Sequence, residues 1–179
     1  LNVIGNSMMD QIAEELDIPF KRNGSLVVCT KEQDPEGLQM LMERGRKNGV
    51  PDLQILNREE LLKKEPNLAD DVTYALWAPT GGIVCPFHMT MGYAENAYEN
   101  GVRFFLNTKV EKLEKTEAGF TIRVHHVDNG KDENIETKIV VNAAGVYADE
   151  INNQLSDRKL HITARKGEYM LLDKTVGDY

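Results

Sequence analysis

The stretch Lys138–Ile151, KIVVNAAGVYADEI, decides how the chain is read. Ile139, Val140 and Val141 are a run of β-branched residues, which predicts a buried parallel strand. Asn142-Ala143-Ala144-Gly145 then offers only small side chains, and Val146 to Leu155 has a helical pattern. Strand, tight small-residue turn and helix is the order in which a chain brings bare backbone up to a nucleotide. The glycine-rich loop that normally does this work is missing. The 14 glycines include no pair two positions apart, so G-x-G-x-x-G does not occur. The stretch therefore predicts one wall of a nucleotide site without the other.

Working outward, residues 102–141 read as consecutive short strands. Ala118-Gly119 marks one turn and Asn129-Gly130 a second, in the pairing that favours a tight hairpin. Phe120, Ile122 and Val124 alternate with polar residues, so that strand has one wet face. The three strands form a meander that feeds the opening stretch. Pro86 suits the first position of a helix running to about Asn100, closed by Gly101. Phe87, Met91, Ala94 and Tyr98 line one side of it and read as core. Further upstream, helices are predicted over residues 3–16, 35–47 and 58–64, the last capped by Asn57. Phe20–Thr30, Leu53–Asn57 and Val72–Pro79 read as strands. Leu160–Lys174 reads as a last strand, with His161, Thr163, Arg165, Gly167, Tyr169 and Leu171 on one face.

Composition narrows the function classes. At 179 residues, 41% hydrophobic and 28% charged, the chain has the balance of a soluble globular protein. No apolar run approaches the roughly 20 residues of a membrane helix. A formal charge of −8, from 21 Lys+Arg against 29 Asp+Glu, repels phosphate backbones and argues against nucleic acid as a partner. Cys29 and Cys85 are too few for a disulfide framework and read as buried thiols of a reducing, cytoplasmic compartment. The chain begins at Leu1, enters directly into a helical pattern and stops just after a strand pattern, which predicts a piece of a longer protein.

Few side chains stand out chemically. Walker A and G-x-S-x-G patterns are absent, and no His or Cys spacing suits a metal. His125 and His126 are adjacent on a strand and point to opposite faces, so they read as surface histidines rather than joint ligands. His88 lies in the first turn of a helix, where the dipole disfavours an imidazolium, so a neutral base there is a candidate. Arg22, Arg165 and Lys166 are cations inside strand patterns, able to bind a carboxylate or phosphate or to form surface ion pairs.

Four motifs now stand in order: PFKRNGSLV, GGIVCPFHMTMGYAENAYENGVRFFLNTKVEKL, IVVNAAGVYADEI and ITARKGEYMLLDK. Together they resemble the FAD-dependent oxidoreductases of the D-amino-acid-oxidase superfamily. Within it they look most like the bacterial glycerol-3-phosphate dehydrogenase and L-2-hydroxyglutarate oxidase branch. The resemblance implies a mixed α/β (α+β) fold: part of an FAD-binding Rossmann-like domain with a three-stranded meander, plus an antiparallel substrate-domain sheet with helices. It implies that residues 1–17 border the FAD domain, that 18–80 and 158–179 belong to the substrate domain, and that 81–157 belong to the FAD domain. The family's G-x-G-x-x-G strand would precede Leu1.

Carried over by residue, the resemblance puts Val110 against the adenine, and Asn142, Ala143, Ala144 and Gly145 along the dinucleotide. Where family members often have Pro-Trp after that glycine, this chain has Val146-Tyr147. Arg165 and Tyr169 are the implied substrate anchors, Arg22 a further one, and His88 the proton acceptor. The implied activity is hydride transfer from a small anionic alcohol, glycerol 3-phosphate first, to FAD, with the parent protein able to lie against the inner membrane face. The alternatives are a 2-hydroxyacid or an amino acid as substrate and, in another class, a non-catalytic binding domain. As an isolated piece the chain is expected to be inactive, to bind no FAD, and to self-associate through an apolar patch.

Overall fold

The computed structural model describes residues 1–170, which divide between two compact units, Leu1–Arg103 and a second that begins at Phe104. In the first unit, α1 (Asn2–Glu15) ends as Asp17 takes a positive φ of 51° and turns the chain toward buried Ile18. β1 (Phe20–Lys21) follows, and then β2 (Ser25–Thr30). α2 (Glu36–Lys47), β3 (Gln54–Asn57), α3 (Arg58–Lys64) and β4 (Val72–Ala78) complete a three-stranded antiparallel sheet of order β2-β4-β3. β4 has neighbours on both sides. Adjacent residues on it serve opposite layers: Leu76 joins Cys29, Leu38 and Leu53, while Ala75 joins Leu56, Leu61 and Val72. Leu61 is fully buried, worth about 1.5–3 kcal/mol of apolar transfer. The predicted cap is present as a capping box: Asn57 accepts from the Glu60 amide, and Glu60 accepts from the Asn57 amide.

β5 (Ile83–Val84) pairs antiparallel with β1, Phe20 facing Val84 and Lys21 facing Ile83. The strand expected over 20–30 is therefore two strands in two sheets. The break falls at Gly24, whose φ of +75° leaves the extended region. Its amide donates to the Gly81 carbonyl at 2.9 Å. A Cβ at Gly24 would lie inside the Trp77 ring, so only glycine allows that packing.

α4 (Pro86–Glu99) starts at the predicted proline. Its expected core face is exposed: Phe87, Met91 and Tyr98 are open, and the packed side is Gly92 against Leu16 and Ile18. Helical periodicity marks an apolar face but not what covers it. Of the two thiols, both free, Cys29 is buried and Cys85 only half-buried.

In the second unit, β6 (Thr108–Lys115), β7 (Phe120–His126) and β8 (Lys131–Thr137) form the predicted meander. Gly130, with a φ of +66°, makes the expected tight turn. Glu111 is an extra residue in β6, a bulge beside Val110. A 3-10 turn (Gly145–Tyr147) leads into α5 (Ala148–Leu155). The predicted strand Ile139–Val141 does not form, and Ile139 and Val141 are exposed. A parallel strand exists only by pairing, and no strand among the described residues pairs with it. The same holds for 160–170, which form no strand; residues 171–174 of that prediction lie outside the described residues.

Candidate functional site

The opening stretch lies beside the meander. Val110 and Leu113 of β6, Ile122 of β7, residues Val140 to Ala144, and Tyr147, Glu150 and Ile151 line a cleft of ≈ 670 Å³. This is within the roughly 300–1,000 Å³ range of small-molecule sites. Its floor is apolar, with Leu113 buried. Asn142 holds the turn from both sides: its Nδ2 donates to the Ala148 carbonyl at 2.8 Å, and its Oδ1 accepts from the Ala144 amide at 3.3 Å. Gly145 continues the turn at a φ of +56°, and a Cβ there would meet open space. Small side chains and that space leave backbone accessible along the cleft wall.

The structure thus brings Val110, Asn142, Ala143 and Ala144 together, with Gly145 adjoining. Sequence patterning does not single out Lys109, Tyr147 or Glu150, which also line the cleft; their side chains carry no periodic signal there. Ile122 could be anticipated from the alternation along β7. The bulge at Glu111 has no signature in the sequence.

The other candidates lie elsewhere. Arg165 and Tyr169 are exposed and do not line this cleft. His88 is exposed in the first turn of α4, in the first unit, without a hydrogen-bond partner among the described residues. Of its two expected roles Arg22 takes the ion pair and not that of a substrate anchor. Its Nε and Nη2 donate to Asp10, its Nη1 to Asn6 Oδ1 and the Thr80 carbonyl, and its Nη2 also to the Asn6 carbonyl, at 2.6–3.1 Å. All five N–H donors of the guanidinium are engaged, which leaves none for a substrate anion. The same hydrogen bond holds the Asp10 carboxyl below the usual carboxylate range. His125 and His126 diverge as expected: His125 pairs with Asp132 at 2.7 Å, and His126 with Glu133 at 3.0 Å. Among the described residues no His, Cys, Asp and Glu cluster could hold a metal, and no helix is long and apolar enough to cross a membrane.

A mixed α/β chain of antiparallel sheets and helices, with a small-residue turn beside a meander, has the architecture of one class of flavoprotein. The chain belongs to the DAO family of FAD-dependent oxidoreductases, whose pattern residues 1–178 match. It is 46% identical over 178 residues to a glycerol 3-phosphate dehydrogenase of Caloramator mitchellensis, covering 99% of this chain and 36% of that protein. It is 29% identical over 180 residues to the mitochondrial L-2-hydroxyglutarate dehydrogenase of Homo sapiens, covering 96% of this chain and 38% of that one. Among solved structures it is similar to the dithionite-reduced L-α-glycerophosphate oxidase of Mycoplasma pneumoniae with FAD bound. The identity there is 26% and the TM-score 0.68, over 86% of this chain and 40% of the oxidase. The chain thus spans little more than a third of the curated relatives named here.

Proposed function

We propose that the protein to which these residues belong is an FAD-dependent dehydrogenase or oxidase of a small anionic alcohol, glycerol 3-phosphate first. The observation that carries the substrate choice is the 46% identity to the Caloramator glycerol 3-phosphate dehydrogenase, against 29% to the human L-2-hydroxyglutarate dehydrogenase. The cleft supports the cofactor. Val110 offers an apolar contact for a flat base, and Asn142, Ala143, Ala144 and Gly145 offer accessible backbone beside it. These residues fit the adenosine side of FAD. A pyrophosphate cradle of the G-x-G-x-x-G type is not among them.

When bound, FAD supplies the redox chemistry by taking up the electrons lost from the substrate carbon. The chain's own residues have simpler duties in this reading. Arg165 and Tyr169 bind the substrate anion and orient it; Arg165 keeps its donors free of internal ion pairs among the described residues. His88 is the candidate acceptor of the hydroxyl proton, the alternative being a base outside these residues. Residues 1–17 border the FAD domain, 81–157 contribute to it, and 18–80 and 158–179 contribute to the substrate domain. The charge of −8 supports a protein without nucleic-acid partners, and two free thiols support a cytoplasmic location. Exposed Phe87, Tyr98, Leu106 and Val141 support self-association of these residues when isolated.

The test is anaerobic flavin bleaching in the FAD-loaded protein. Glycerol 3-phosphate is expected to bleach the flavin faster than 2-hydroxyglutarate; the reverse order would transfer the reading to hydroxyacids, as the human relative suggests. Arg165→Ala should raise the KM for the productive substrate about 10- to 100-fold, the worth of a charge-assisted contact. Unchanged kinetics would remove Arg165 as the anchor.

A further inference from the structure

Helix α5 has no buried residue, yet its polar side chains grip the backbone of a neighbouring segment at regular intervals. Asn153 makes both bonds of a ladder rung with Leu160. Its Nδ2 donates to the Leu160 carbonyl, and its Oδ1 accepts from the Leu160 amide, each at 2.8 Å. Asp149, one turn earlier on the helix, accepts from the Ile162 amide at 2.8 Å. Asn152 donates to the Arg158 carbonyl at 3.0 Å. The gripped residues 158, 160 and 162 are two apart, the spacing at which an extended chain presents backbone groups to one side. Asp149 and Asn153 are four apart, the spacing that aligns side chains on one helix face. Side chains of α5 thus do for this segment what a neighbouring strand would do. Asp149 is well placed for it: its side chain is 14% exposed, and the Ile162 amide holds its carboxyl below the usual range.

On the same helix, Gln154 accepts from the Leu113 amide at 2.7 Å, beside the bulge that adjoins Val110. One helix therefore ties the floor of the cleft to residues 158–162. The residues that follow carry Arg165 and Tyr169. In an extended segment a slip of one residue turns every side chain to the opposite face. We propose that Asp149 and Asn153 are positioning residues: they set the register of residues 158–162, and through it the placement of Arg165 and Tyr169, without touching substrate. Neither lines the cleft. The proposal rests on the reading of Arg165 and Tyr169 as substrate anchors.

The experiment compares Asn153→Ala, Asp149→Ala and Asp149→Asn in the FAD-loaded protein, with substrate kinetics and amide hydrogen exchange measured on each. The alanine variants are expected to raise the KM for the bleaching substrate about tenfold, the worth of one or two backbone hydrogen bonds, and to lower kcat less. Exchange at Leu160 and Ile162 should quicken while the meander amides keep their protection. Asp149→Asn retains an acceptor oxygen and should restore KM toward wild type. A purely structural role would lower the active fraction and leave KM unchanged, and that result overturns the proposal. So does unaltered exchange at Leu160 and Ile162. Failure of the wild type to bleach with any small anionic alcohol sinks the functional reading instead, and the exchange data still decide the register.

Discussion

Arg22 shows how a side chain's type leaves two readings open, and here the ion pair is the one that forms. A cation inside a strand pattern suggests an anion site, but its partners lie 12 to 58 residues away in sequence, where local patterning cannot reach them. In the structure it joins α1 to the Thr80 turn through the Asn6 and Thr80 carbonyls. Arg22→Ala should therefore destabilise the first unit by about 2 kcal/mol, from those backbone bonds alone. Arg22→Lys should recover only part of this, because an ammonium lacks the planar fork. Urea denaturation measures both, and a loss equal to that of a neutral surface substitution would refute the assignment. Asn142 was more legible. A small polar residue opening a run of alanines suggests a turn, and its two hydrogen bonds make that turn. Gly145 was legible for the same reason, since its positive φ is a local demand met by a local residue.

Elements whose partners are near in sequence were read correctly. The meander needs only alternation and two turn signals, and α3 needs only Asn57 and Glu60. β3 and β4 were legible from composition as well, although β4 pairs with the distant β2; Ile139–Val141 has strand composition but no strand pairs with it among the described residues, and Phe20–Thr30 breaks at Gly24, whose positive φ the strand composition does not foretell. The meander itself carries a pH dependence. Hydrogen bonds from His125 and then Arg123 hold the Asp132 carboxyl below the usual range. A lowered folded value means that its stabilisation is complete above the unfolded carboxylate value of about 4 and is lost as pH falls through the folded one. Asp132→Asn should flatten the fall in the urea midpoint between about pH 5 and pH 2. An unchanged acid limb would show that the pairs across β7 and β8 do not contribute.

For the molecule as a whole, the cleft at the Asn142 turn is present and a G-x-G-x-x-G loop is not among these residues. The 179 residues expressed alone should be colourless and bind FAD with a Kd weaker than about 100 μM, since a partial contact set forfeits several kcal/mol. Purification as a yellow complex would contradict this. A second feature bears on how such a chain can change over time. Phe20 faces Val84, Lys21 faces Ile83, and the Gly24 amide meets the Gly81 carbonyl, so the chain leaves and returns within one strand spacing, about 5 Å. Between those ends lie the β2-β4-β3 sheet, α2 and α3, a stretch that enters and leaves at one place. A change in the length of its loops need not move the two ends, because the pairing that holds them lies outside it.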